Sequence, residues 1–184
     1  MIMNETTKSI IERYSCRNYS DQPVTEKELE TVLEAGKYAP NAKNNQAWHF
    51  TVIRTEEGKE KALRSMGDRP DDPMLGNLPW PPDADFWGAP LMIIVSGDKN
   101  ARFVEEGVFI AVGYMMLAAQ SIGLGTVWST SFSKFMFRGP ESCKYKDELV
   151  PEGYKPYAAF FLGHPAVPGG KQQKPRRDGV VRYL

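Results

Sequence analysis

Two arginines and a serine alternate near the start of the chain, at Arg13, Ser15 and Arg17. Successive side chains of an extended segment point to opposite sides, so these three would face the same way. Their guanidinium and hydroxyl donors match phosphate or carboxylate oxygens. A second basic cluster, residues 174–177, could converge on the same ligand. The pattern predicts an anion site for a phosphate-bearing cofactor, although Arg13 and Arg17 could also be ordinary surface charges.

A second polar segment, residues 39–50, carries several amide side chains, namely Asn41, Asn44, Asn45 and Gln46. Amides both donate and accept hydrogen bonds. They therefore suit a ligand ring with alternating carbonyl and N–H groups, and they suit a hydroxyl-rich chain equally well.

Charge and composition exclude several classes of function. Lys plus Arg equals Asp plus Glu at 23 each, so no global field favours nucleic acid or an anionic membrane. No stretch resembles a signal peptide or reaches the ~18 apolar residues of a membrane span, and we expect a cytoplasmic protein. Two cysteines and two histidines are too few for a disulfide framework or a structural metal site.

Helical and strand patterns alternate along the chain and predict one mixed α and β domain over residues 1–184. Thr25 and Glu28 match a capping box, which predicts a helix over residues 25–39 that Pro40 ends. Branched and aromatic residues predict strands at residues 48–53, 91–95 and 157–162.

Two segments indicate a partner subunit. Residues 107–119 contain no charge and predict a helix that is apolar on every face. In a chain this short, a single layer of neighbouring elements can hardly cover such a helix. The C-terminal arm, residues 168–184, ends in apolar side chains that need a docking surface, namely Val180, Val181, Tyr183 and Leu184. Both features favour a homodimer in which the arm reaches across the partner.

Prolines at several positions predict a long loop over residues 68–90. Trp80, Phe86 and Trp87 give this loop apolar surface, which argues against plain disorder. We interpret it as a lid over a site. The alternative is a surface crossover whose aromatic residues hold it against the core.

Taken together, these segments resemble the nitroreductase family of flavin-dependent oxidoreductases, in the same order over nearly the whole chain. The matching segments are Arg-x-Ser-x-Arg at residues 13–17, a helix ending in Ala39-Pro40 before the amide segment and Trp48, a long apolar helix closing in Gly123-Leu124-Gly125, and the basic segment near Lys174 and Arg176. The resemblance implies an α+β fold with a central, mostly antiparallel sheet flanked by helices, and a homodimer with a swapped C-terminal extension.

The resemblance also implies bound flavin mononucleotide (FMN) at a dimer interface. Arg13, Ser15, Lys174 and Arg176 would hold the phosphate, and Arg17 would approach the ribityl chain and the pyrimidine edge of the ring. The flavin would be lined by Pro40, Asn41, Asn44 and Gln46.

Catalysis would need few protein groups, because the flavin carries the chemistry. The backbone N–H groups of Thr130 and Ser131 would lie near the flavin's reactive nitrogen. No acid or base stands out, and we expect Cys16, which alternates away from the clamp side chains, to be structural. The substrate pocket would be lined by Trp80, Phe86, Trp87 and Phe132.

The predicted function is hydride transfer from NADH or NADPH to a small acceptor, such as a quinone or nitroaromatic compound, by a ping-pong mechanism. Alternatives that keep the flavin are a dehalogenase or an oxidase of the same fold, and a protein that binds flavin without catalysis.

Overall fold

The computed structural model describes residues 2–69, 71–73, 80–81, 86–167 and 175–184. Its helices are α1 (Glu5–Glu12), α2 (Glu26–Lys37), α3 (Glu56–Arg64), α4 (Val104–Ser121), α5 (Thr130–Phe135), α6 (Pro140–Cys143) and α7 (Lys146–Leu149). Its strands are β1 (Trp48–Ile53), β2 (Leu91–Asp98), β3 (Gly125–Trp128) and β4 (Tyr154–Gly163), and short 3₁₀ turns lie at Ala42–Asn44 and Phe86–Gly88.

The predicted capping box starts α2. The Thr25 hydroxyl accepts from the Glu28 N–H, and the Glu28 carboxylate accepts from the Thr25 N–H at 2.8 Å, which satisfies two donors at the helix end. Gly36 lets α2 approach α4 closely, because a side chain there would stand 2.8 Å from Met115. The predicted helix is confirmed, and it ends at Lys37, just before Ala39-Pro40.

The four strands form one antiparallel sheet in the order β1-β2-β4-β3. Strand β2 is buried from Leu91 to Gly97 because helices cover both faces of the sheet. Its side chains alternate: Met92 and Ile94 pack with Phe132 on one face, while Ile93 and Val95 pack with the other core cluster, under α2 and α4. This arrangement confirms the predicted α+β fold.

Helix α4 is apolar on every face from residue 107 to residue 119, as predicted. It extends beyond this segment by a few residues at each end, and its first turn carries Glu105 and Glu106. One side packs against the sheet and α2. The other side exposes Phe109, Ile110 and Tyr114 to between 38% and 43% of their surface. In the described parts of the chain, no helix is both long and apolar enough to cross a membrane.

The described end of the C-terminal arm, residues 175–184, is exposed throughout and forms neither helix nor strand. Val180, Val181, Tyr183 and Leu184 are each at least 66% exposed. The remainder of the arm, including Lys174, lies outside the described residues.

Candidate functional site

The clamp, defined as Arg13, Ser15 and Arg17, lies on an extended segment beside β3. Ser15 forms a parallel bridge with Thr126, and the Cys16 N–H donates to the Thr126 carbonyl at 2.9 Å. Cys16 is 2% exposed, whereas Ser15 and Arg17 on either side are exposed. The alternation predicted from the sequence therefore places Ser15 and Arg17 outward and Cys16 in the core.

The two distant basic segments come near each other at Arg13 and Arg176. Burial, and next the nearby positive charge of Arg176, lower the pKa of Arg13. Two guanidinium groups of like charge repel each other, and an anion between them removes that repulsion. The side chains of Arg13, Ser15 and Arg176 fit a phosphate group in charge and in the type of hydrogen-bond donor.

The amide turn, residues 39–48, has a strained backbone. Lys43, Asn44 and Gln46 have φ near +50°, a left-handed conformation that costs non-glycine residues about 1 kcal/mol or more each. The Asn41 Oδ1 atom accepts from the Gln46 N–H at 2.8 Å and holds the turn in this shape. The side chains of Asn44 and Gln46 are consequently exposed, as is Pro40.

The clamp and the amide turn lie at opposite corners of the sheet. Thr126, beside the clamp, is level with Leu162 and Leu91 across the strands, whereas Trp48, at the end of the amide turn, is level with Gly97. They are thus separated by about 20 Å along the strands and about 14 Å across three strand spacings. One chain does not bring its own clamp and amide turn together.

Thr130 and Ser131 form the first turn of α5, immediately after β3. The Ser129 N–H donates to the Ala159 carbonyl at 2.8 Å and ties this turn to β4. The first N–H groups of a helix point out of its N-terminal end, so both residues can present backbone donors. Because Trp128 pairs with Phe160, they lie toward the same end of the sheet as the amide turn.

Two residues of the predicted substrate pocket are buried in the single chain. Phe86 is 4% exposed and Phe132 is fully buried, and their rings pack against each other with centroids 5.6 Å apart. Both also contact Phe161 of β4. Both rings thus belong to the core of the single chain, although Phe86 also borders an open pocket with Glu60 and Leu63 of α3.

Trp80 and Trp87 are half-buried. The Trp80 indole N–H donates to the Gly67 carbonyl at 2.7 Å, and its ring meets Phe135 of α5 edge-on at 5.5 Å. Nearby, Asp72 and Lys134 form an ion pair at 3.0 Å. Asp72 and Trp80 of the predicted lid therefore contact α5. Residues 70, 74–79 and 82–85 lie outside the described set.

Sequence reasoning missed a contact between this loop and the clamp. The Arg17 guanidinium lies over the Trp87 ring, 5.5 Å from its centroid. Seventy residues separate the two positions, and no local pattern in either segment indicates the pairing. The loop therefore touches a residue that the sequence assigned to the cofactor.

Cys16 has a structural environment. Its thiol donates to the Asn18 carbonyl with a separation of 3.3 Å, and it neighbours the hydroxyls of Tyr14 and Tyr19. Burial is the main cause, and the nearby Cys16 the second, of a rise in the pKa of Tyr14 to about 12; the same two causes raise the pKa of Tyr19. A buried thiol among protonated phenols is a core group.

Comparisons with known proteins agree with this architecture. The FMN reductase [NAD(P)H] of Bacillus subtilis is 30% identical, over 97% of this chain and 73% of that protein. An iodotyrosine deiodinase of Thermotoga neapolitana is 26% identical over 93% of each. The crystal structure of a nitroreductase with bound FMN from Bacteroides fragilis superposes with a TM-score of 0.83 at 27% identity, covering 99% of this chain and all of the other.

The signature of the nitroreductase family matches residues 10–164, which begin before the clamp and end just after β4. This match takes in the clamp, the amide turn, all four strands and the first turn of α5. The chain belongs to the nitroreductase family.

Proposed function

We propose that this protein is an FMN-dependent oxidoreductase that passes hydride from NADH or NADPH to flat, electron-poor acceptors such as quinones or nitroaromatic compounds. The observation that carries the proposal is that Arg176, from the far end of the chain, lies near enough to Arg13 of the clamp for their charges to interact. Paired guanidiniums are suited to a phosphate group. The name of the Bacillus subtilis relative and the FMN in the Bacteroides fragilis structure support FMN as the ligand.

Arg13, Ser15 and Arg176 hold the phosphate in this proposal, and Lys174 joins them from outside the described residues. The positive charge of Arg17 would favour negative charge on a bound flavin ring, and the Thr130 and Ser131 N–H groups would be donors to it. Bound FMN would supply the redox chemistry by accepting a hydride and passing it on. The protein's part is to bind, orient and tune the cofactor.

A second copy of the chain completes the site. Since the amide turn lies about 20 Å along the strands from the clamp of its own chain, the partner's turn supplies the ring contacts of Pro40, Asn41, Asn44 and Gln46. The exposed apolar side of α4 and the apolar C-terminal arm are suited to an extensive interface in which the arm crosses to the partner. Light scattering should find a dimer at micromolar concentration, and a stable flavin-bound monomer would contradict this assembly.

The nicotinamide and the acceptor use the same open position in turn. The sequence has no Gly-x-Gly-x-x-Gly segment of the kind that holds a dinucleotide separately. Double-reciprocal plots should therefore give parallel lines as the acceptor concentration varies, as expected for a ping-pong mechanism. Intersecting lines would indicate a ternary complex and refute this step.

The deciding experiment is a visible spectrum of the purified protein, followed by anaerobic addition of NADH or NADPH. The protein should be yellow, lose its absorbance with the reduced nicotinamide, and regain it when a quinone is added. Arg54→Ala is a matched control for substitutions of the clamp arginines, because Arg54 pairs with Glu26 away from the clamp. A colourless protein that binds no added FMN would overturn the proposal.

Reductive dehalogenation is the second candidate, because one relative is named an iodotyrosine deiodinase. The same clamp and flavin would serve it, so the acceptor distinguishes the two. Release of iodide from iodotyrosine by the reduced protein, faster than reduction of any quinone or nitroaromatic tested, would favour this alternative. A yellow protein that no reduced nicotinamide bleaches would instead indicate a flavin-binding protein or an oxidase with another electron donor.

A further inference from the structure

Residues 86–88 hold an unusual backbone shape at the end of the loop. Phe86, Trp87 and Gly88 all have positive φ, at 52°, 50° and 76°. Two consecutive bulky residues in this conformation are strained, and they persist only where the surroundings over-determine them. Phe86 supplies the constraint, since its buried ring packs against Phe132 and Phe161.

Trp87 is consequently fixed between the core and the clamp. Its ring meets Phe161 edge-on, with centroids 5.5 Å apart and planes at 81°. The Arg17 guanidinium lies over the ring, 5.5 Å from its centroid. A guanidinium over a tryptophan is attracted by the negative face of the ring, and the indole is the strongest natural partner for this contact.

Arg17 needs such a support more than Arg13 does. Arg13 is half-buried, whereas Arg17 is exposed and carries a long side chain with many rotamers. Ordering an exposed arginine costs conformational entropy each time a ligand is bound. A rigid aromatic surface that already holds the guanidinium reduces that cost, which is the general advantage of a preorganised binding group.

We propose that Trp87 is a positioning residue for Arg17, and that the loop therefore contributes to FMN affinity as well as to the choice of acceptor. This inference rests on the proposed function, because it assumes that the clamp binds FMN. It assigns Trp87 no contact with the cofactor. The ring acts only by holding the guanidinium of Arg17.

Trp80 provides a matched control. It is a half-buried tryptophan of the same loop, but its ring rests on Phe135 and its N–H donates to Gly67. Trp87→Leu should weaken FMN binding about threefold to tenfold, while Trp80→Leu should leave it within about twofold. Trp87→Phe keeps an aromatic face and should recover most of the affinity. Equal losses in Trp87→Leu and Trp80→Leu would mean that any damage to the loop has the same effect, which overturns the proposal.

A double-mutant cycle tests the route of action. If Trp87 acts through Arg17, Trp87→Leu should have no further effect on the dissociation constant in the Arg17→Ala background. Additive losses would mean that Trp87 acts independently of Arg17, and they would overturn this inference while leaving the proposed function intact. A wild-type protein that binds no FMN would overturn both.

Tryptophan fluorescence of the flavin-free protein checks the contact itself without any measurement of FMN binding. Arg17→Ala should change the emission spectrum of the otherwise unaltered protein, because it removes a charge from above the Trp87 ring. The same substitution should leave the emission of a Trp87→Phe protein unchanged. An identical change in both proteins, or a change in neither, would contradict the contact.

Discussion

The clamp at residues 13–17 and the loop end at residues 86–88 meet at one side chain, Arg17, yet they reach it in different ways. In the clamp, each residue's direction follows from the alternation of an extended chain, and the buried Cys16 marks the inner side. In the loop, neighbouring aromatics have unrelated surroundings: Phe86 is in the core and Trp87 lies against the clamp. The backbone at φ near +50° breaks any regular period there.

This difference indicates which substitutions should affect the cofactor and which should affect the fold. Ser15 and Arg17 of the clamp point outward, and in the proposed function the clamp holds FMN, so loss of its side chains should cost affinity with little loss of stability. Loop aromatics pack on α5 and β4, so their loss should cost stability first. Trp87 is the exception, because it touches both regions.

The largest effect should come from Phe132→Ala. The ring is fully buried and contacts Phe86 and Phe161, so its removal should lower the free energy of unfolding by about 3–5 kcal/mol. Urea unfolding at a fixed protein concentration measures the change. A loss below about 1 kcal/mol, accompanied by altered acceptor kinetics, would show that Phe132 lines the substrate pocket and contributes little to the core.

A smaller loss of stability should follow Trp80→Ala. This half-buried ring would lose its packing on Phe135, and the Gly67 carbonyl would lose a hydrogen bond, so about 2 kcal/mol is expected. FMN titration should show little change in affinity. Loss of FMN binding with unchanged stability would contradict the docked position of the loop.

Arg13→Ala should separate affinity from stability. Hydrogen bonds to charged groups are worth about 1.5–3 kcal/mol, so FMN binding should weaken about tenfold or more. The melting temperature of the flavin-free protein should stay the same or rise, because the substitution removes a repulsion with Arg176. Fluorescence titration tests the predicted loss of FMN affinity, and thermal melting of the same preparations tests the predicted change in melting temperature. A lower melting temperature with unchanged affinity would make Arg13 a structural residue.

The smallest effect should be on stability at alkaline pH, through the ionisation of Tyr14. Burial raises its pKa in the folded protein to about 12, above the value near 10 of an unfolded tyrosine. The stability that this group contributes is therefore complete below pH 10 and is lost as the pH rises toward 12. Tyr14→Phe should flatten the fall in melting temperature over that range, whereas Tyr183→Phe, at a residue 92% exposed, should not.

Local patterns alone determined a large part of this protein. The capping box placed the start of α2, the branched run placed β1 at its observed bounds, and alternation placed Ser15 and Arg17 opposite Cys16. Each depends on neighbours within a few residues, where the periods of helix and strand decide which side chains share a face.

Tertiary structure decided the pairings between distant segments. Arg176 lies near Arg13, the Trp87 ring lies beneath the Arg17 guanidinium, and Phe132 packs in the core. Whether an aromatic residue fills a core or lines a site depends on what the chain brings against it from far along the sequence, and a local period carries no information about such contacts. The distance between the clamp and the amide turn is also a tertiary property, because the order of the strands places β3 and β1 at opposite edges of the sheet.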